Sequence, residues 1–114
     1  MIARVFRGTS VFVPPVLTID DSGKVYQGMV SFGKPVLNIQ GDCIYQGGYA
    51  LGTPIATVRG NYVYPGARGQ SAPLATVDGD KAYEGNKPTG APLATIQGGD
   101  KMDAAVAAVY FLLL

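Results

Sequence analysis

Apolar and polar residues alternate along this chain in short runs, and glycine punctuates them at regular intervals. The pattern is clearest in Pro73-Leu74-Ala75-Thr76-Val77-Asp78-Gly79-Asp80-Lys81-Ala82-Tyr83-Glu84-Gly85, and equivalent stretches begin at Pro35 and Pro54. Pro35, Pro54, Pro73 and Pro92 stand 19 residues apart, as do Tyr26, Tyr45, Tyr64 and Tyr83, and Gly28, Gly47, Gly66 and Gly85. Agreement of three columns on one period is the mark of a repeat protein. An earlier copy opens at Pro15, where Asp20-Asp21-Ser22-Gly23 adds one residue, as a turn can tolerate.

Each unit holds two β-prone runs separated by Gln40-Gly41, Arg59-Gly60 or Asp78-Gly79. An X-Gly pair between such runs predicts a tight hairpin, because glycine supplies the positive φ the turn requires. Centring the turn on Gln40-Gly41 pairs Ile39 with Asp42, Leu37 with Ile44 and Val36 with Tyr45. The two-residue period of a strand then puts Leu37, Ile39 and Ile44 on one face, with Ala56, Val58 and Val63, then Ala75, Val77 and Ala82, at the same positions of later units. Val36, Tyr45 and Asn38 share the mixed opposite face, where later units carry Thr57, Thr76 and Thr95. Glycine- and proline-containing segments such as 66–72 and 85–91 read as loops between hairpins.

The ends are complementary half-units. Arg4-Val5-Phe6-Arg7-Gly8 matches the second half of a unit and Pro92-Leu93-Ala94-Thr95-Ile96 the first half, so four complete hairpins are flanked by two strands able to meet and close a ring without exposed edges. Beyond Gly98-Gly99, Asp100 is a good N-cap with Asp103 in the first turn, and Ala104 to Leu114 is uncharged. A helix apolar on all sides is buried or lies in an interface. The preferred reading is a plug inside the hairpin ring; self-association through Tyr110, Phe111 and the terminal leucines, or shallow membrane contact, are the alternatives. A helix over 100–114 reaches roughly 22 Å at about 1.5 Å per residue, short of the roughly 30 Å hydrocarbon core, so no transmembrane segment is expected.

The Pro-aliphatic-Ala-Thr-Val run, the X-Gly turn, the Tyr-X-Gly close and the single apolar C-terminal helix resemble the four-fold beta-flower proteins over essentially the whole chain. That resemblance implies four hairpins arranged around a helix and no established activity. The expected fold is a single domain, 1–114, mainly β: tandem β-hairpin repeats over 1–98 in a closed, roughly four-fold array, with the C-terminal helix over 99–114 at or near its centre. Pairing of the half-units would add a fifth hairpin to that count.

Composition narrows the function. Nine basic and eight acidic residues without a run of like charge argue against nucleic acid and against tracking an anionic membrane. With no histidine and one cysteine, Cys43, neither a disulfide framework nor the commonest general base is available, so no enzyme is expected. Asp78-Gly79-Asp80 and Asp20-Asp21 lack the further oxygens of a calcium loop, and neither metal nor cofactor is expected. No signal peptide is read, which defaults the chain to the cytoplasm. The expected role is a non-catalytic structural or protein-interaction module, with homo-oligomerisation or a protein partner as its outlet. The alternative is a small-ligand or carbohydrate binder using Tyr26, Tyr45, Tyr64 and Tyr83 as an aromatic ring, beside a polar ring of Thr18, Asn38, Thr57, Thr76 and Thr95. Tyr110 and Phe111 are the remaining candidates for a ligand or interface site.

Overall fold

Five hairpins close into one antiparallel barrel around the C-terminal helix in the computed structural model, which describes residues 2–29, 32–67 and 72–114. The strands are β1 (Ala3–Arg7), β2 (Leu17–Ile19), β3 (Lys24–Gln27), β4 (Leu37–Gln40), β5 (Cys43–Gln46), β6 (Ala56–Arg59), β7 (Tyr62–Pro65), β8 (Ala75–Asp78), β9 (Lys81–Glu84) and β10 (Ala94–Gln97), followed by α1 (Lys101–Leu113). Each strand pairs with its sequence neighbours, and β1 pairs with β10 to complete the ring. The terminal strands meet as expected, with Arg4 opposite Gln97, Val5 opposite Ile96, Phe6 opposite Thr95 and Arg7 opposite Ala94. The four-fold count does not hold. Four hairpins are continuous in the chain, and the two half-units make a fifth with the same geometry.

The turns sit one residue later than the X-Gly reading placed them. Gln40 pairs with Cys43, Ile39 with Ile44, Asn38 with Tyr45 and Leu37 with Gln46, so the two-residue loop is Gly41-Asp42. Gly41, Gly60 and Gly79 have φ of 62, 60 and 62°, whereas among the described residues none other than glycine has positive φ. Glycine at the first loop position alone defines a type II′ turn, whose twist suits a hairpin. Moving the turn by one residue changes each pairing by two, so side chains keep their faces. Leu37, Ile39 and Ile44 therefore still point inward, as expected from the wrong register.

One hydrogen bond recurs in all five hairpins. The Oγ1 of Thr18, Thr57 and Thr76 donates to the carbonyl of Gly28, Gly66 and Gly85 at 2.7, 2.8 and 2.8 Å. Asn38 Nδ2 donates to Gly47 at 3.0 Å in the same way. In the closing hairpin Thr95 Oγ1 donates to Gly8 at 2.7 Å across 87 residues of chain. The polar column is thus a latch tying the start of each hairpin to its Tyr-X-Gly end. Asn38 fills it imperfectly, since its Oδ1 is buried with no partner.

The barrel interior is filled by α1. Residues 104–109 are fully buried, and Asp100 caps the helix by accepting from Met102 and Asp103 while Asp103 returns a carboxylate to the Asp100 N–H. Gly99 lets the chain turn inward from β10, because a Cβ there would lie 2.8 Å from the Ala3 Cβ. Eight strands give a barrel just wide enough for its own side chains. Ten leave room for a helix only if its side chains are small, and Ala104, Ala105, Ala107 and Ala108 meet that condition.

The helix does not run down the axis. It packs most extensively against β8, β9 and β10, where Ala75, Ala82 and Ala94 face inward. Across the barrel the larger Leu17, Ile19, Leu37 and Ile44 fill the remaining space. Small wall residues draw the helix to one side, and large ones occupy the other.

Ala82→Leu should therefore cost about 1–3 kcal/mol by overpacking against α1, and Ile44→Ala about 2–5 kcal/mol by opening a cavity, both read from urea unfolding. At the latch, Asn38→Thr removes the orphaned acceptor and should stabilise by about 1 kcal/mol, whereas Thr95→Val should destabilise by a similar amount despite its apolar gain. Equal effects of the last two would refute the latch.

Candidate functional site

Up-and-down topology gives the barrel two unlike ends. Every hairpin turn, together with the N-terminus of α1, lies at one end. The connections between hairpins, in their described residues, lie at the other, where the C-terminus of α1 emerges. These are the turn end and the loop end.

At the loop end, the inward positions two residues beyond Val5, Val25 and Ile44 are Arg7, Gln27 and Gln46. With Val36, Gly47, Tyr110, Phe111 and Leu114 they line an open cavity of ≈ 830 Å³. Gln27 Nε2 donates to the Tyr110 hydroxyl at 2.8 Å, and the Arg7 guanidinium lies 4.4 Å from the centre of the Phe111 ring. Tyr110 and Phe111 also meet edge to face at 5.6 Å. The cavity opens over β1, β3 and β5, away from β8 and β9, which the helix packs against. The mouth thus presents amides, a guanidinium and two aromatic rings.

The tyrosine ring is not gathered there. Tyr26, Tyr45, Tyr64 and Tyr83 lie on the outer barrel face, on β3, β5, β7 and β9, with Phe6 taking their place in the closing hairpin. None lines the cavity. Tyr26 is buried and its hydroxyl lies 3.5 Å from Asp20 Oδ2; burial, then the negative charge of Asp20, pushes it above its usual value of 10.0. Tyr64 packs edge to face with Tyr62 at 6.5 Å. The threonine hydroxyls, expected to offer a second polar ring, donate to the latch carbonyls. Cys43 is half-buried, its Sγ 4.0 Å from Thr57 Oγ1.

The connections between hairpins carry the feature that repeat columns hide. Phe12 is 95% exposed, Leu51 78%, Phe32 75% and Tyr49 74%, with Val13 and Met29 also exposed. They occupy three adjacent connections, 8–16, 28–36 and 47–55, over the same side as the cavity. With Leu113 and Leu114 they make eight of the ten exposed large apolar residues among those described; Ile2 and Tyr62 lie toward the turn end. The signal was present in the sequence as aromatic and aliphatic residues inside segments rich in glycine and proline.

The turn end is acidic. Asp20, Asp21, Asp100 and Asp103 surround a smaller cavity of ≈ 460 Å³. Burial pushes the Asp20 carboxyl up, but the Ser22 hydroxyl and the Lys24 and Ser22 amides together bring it below 3.8. Among the described residues, no group of three metal-ligating side chains is placed to hold an ion. Among the described residues, no helix is long and apolar enough to cross a membrane.

A family model described as 6-fold beta flower protein matches residues 5–103. The chain belongs to this beta flower family. The match spans the barrel and the start of the helix, so the resemblance read from the repeats holds at the level of the flower while its four-fold count does not. Within a family described as six-fold, the described residues of this beta flower close five hairpins. No curated protein and no solved structure matches the chain.

At the turn end of this flower, Asp103 offers a titration. Burial, with repulsion from Asp100, holds its carboxyl above 3.8 against the pull of the Asp100 N–H. A raised value means the fold favours the neutral acid, so this stabilising contribution is present below 3.8 and lost as pH rises through the folded value. Asp103→Asn keeps the capping acceptor but cannot titrate. Relative to that variant, the wild type should gain thermal stability as pH falls toward the carboxylate range. A stability difference independent of pH would exclude the effect.

Proposed function

We propose that this beta flower is a non-catalytic interaction module that works through its loop end. The observation that carries the reading is the gathering of eight of ten exposed large apolar residues at that end, around an open mouth containing Tyr110 and Phe111. Scattered single apolar residues are normal on any surface, but concentration at one end marks a contact region. The rest of the architecture suits a scaffold: the barrel is plugged by α1, its strand edges are all paired, and the connections carry exposed positions outside the core. The absence of histidine from the sequence weighs against acid–base chemistry in the mouth.

A benzophenone amino acid in place of Phe32 or Leu51, and in a control in place of Tyr62 at the turn end, tests the reading by photo-crosslinking in cells. Adducts, protein or lipid, should form from the two loop-end positions and be absent from the control. Equal yields at both ends, or none at either, would overturn it.

A further inference from the structure

We infer that the loop end docks on an anionic lipid bilayer surface, a partner class that rests on the reading of that end as the contact region. The charges of this chain nearly cancel, yet the topology separates them in part: Arg4, Lys24, Arg59, Lys81 and Lys101 share the turn end with most of the carboxylates and leave that end with a net negative charge. Seven of the eight acidic residues, Asp20, Asp21, Asp42, Asp78, Asp80, Asp100 and Asp103, sit at the turn end, leaving Glu84 alone at the other. Among the described residues, the loop end carries the side chains of Arg7, Lys34 and Lys87 against that one acidic side chain. The end that exposes Phe12, Phe32, Tyr49 and Leu51 is therefore also the positive end, and Lys34 lies two residues from Phe32 on the same connection.

That combination selects among partners. Two copies meeting loop end to loop end would appose Arg7, Lys34 and Lys87 with their own equivalents. A head-to-tail contact would satisfy the charges but set Phe12, Phe32 and Leu51 against the aspartates of the turn end, where Ile2 and Tyr62 are the exposed large apolar residues among those described. Nucleic acid would answer the three cations and leave the apolar tips in water. An anionic bilayer answers both. Aromatic and aliphatic tips enter the interface between headgroups and chains, cations meet lipid phosphates, and the acidic end points away into water.

The chain contains no tryptophan, so a single one reports without background. Phe32→Trp at the loop end and Tyr62→Trp toward the turn end are titrated with vesicles of phosphatidylcholine alone and with about a third phosphatidylserine. The emission of Phe32→Trp should shift to the blue with the anionic vesicles, weakly with the neutral ones, and reverse in high salt; Tyr62→Trp should not shift. Adding Lys34→Glu and Lys87→Glu to the Phe32→Trp protein should weaken vesicle binding by about tenfold or more. Melting temperatures confirm that each variant folds, and the unaltered chain, scored by co-sedimentation, should follow the same lipid and salt dependence. No shift, an equal shift at both positions, indifference to the lysine changes, or self-association through the loop end without vesicle binding would each overturn the proposal. Protein photo-adducts at Phe32 and Leu51 without vesicle binding would leave the interaction module standing and remove the membrane as its partner.

Discussion

Everything in this molecule depends on a helix fitting inside a ring of ten strands. Such a ring is too wide to be filled by its own inward side chains and too narrow for a helix of ordinary bulk. The alanine-rich stretch of α1 satisfies both limits, with residues 104–109 fully buried. The helix in turn dictates the walls. Alanine faces it on β8, β9 and β10, while leucine and isoleucine fill the far side, so the plug sits off the axis and the mouth stays open over β1, β3 and β5.

Closure is the second condition, and the chain meets it by treating its ends as one more repeat. The hairpin built from β1 and β10 uses the same latch as the four continuous ones, with Thr95 and Gly8 in place of residues nine or ten apart. The entropy of joining strands so distant in sequence grows only with the logarithm of the loop, so the penalty is modest beside the benefit of removing two open edges. The remaining contacts are between neighbouring strands, which leaves closure and helix docking as the non-local events of folding.

The same up-and-down path that builds the barrel sorts its surface. All turns fall at one end and the connections, in their described residues, at the other, so residue types preferred in tight turns, aspartate above all, accumulate at the turn end. The connections are under no such constraint, and there the exposed aromatic and aliphatic residues collect with an excess of basic charge. A near-zero net charge therefore conceals a polar molecule, apolar and positive at one end and acidic at the other.

Much of this was legible in the residues. The 19-residue columns specified hairpins, the complementary half-units specified closure, and the glycine pair with Asp100 specified the start of a helix whose apolar character required burial. These are local or periodic signals, and strand parity made the inward set readable even from a misplaced turn. Three-dimensional packing decided the rest. The hairpin count became five only when distant halves paired. Strand parity had already put the tyrosines and threonines on the face opposite the apolar one, but the threonines became latches only in three dimensions, because that role depends on which carbonyl lies across the strand. The mouth of Arg7, Gln27, Gln46, Tyr110 and Phe111 draws on three strands and a helix far apart in sequence, and the division of charge between the ends exists only once the chain has turned back on itself ten times. A sequence records periodicity and local propensity; which side chains meet at one end of a barrel is set by closure, which no single segment encodes.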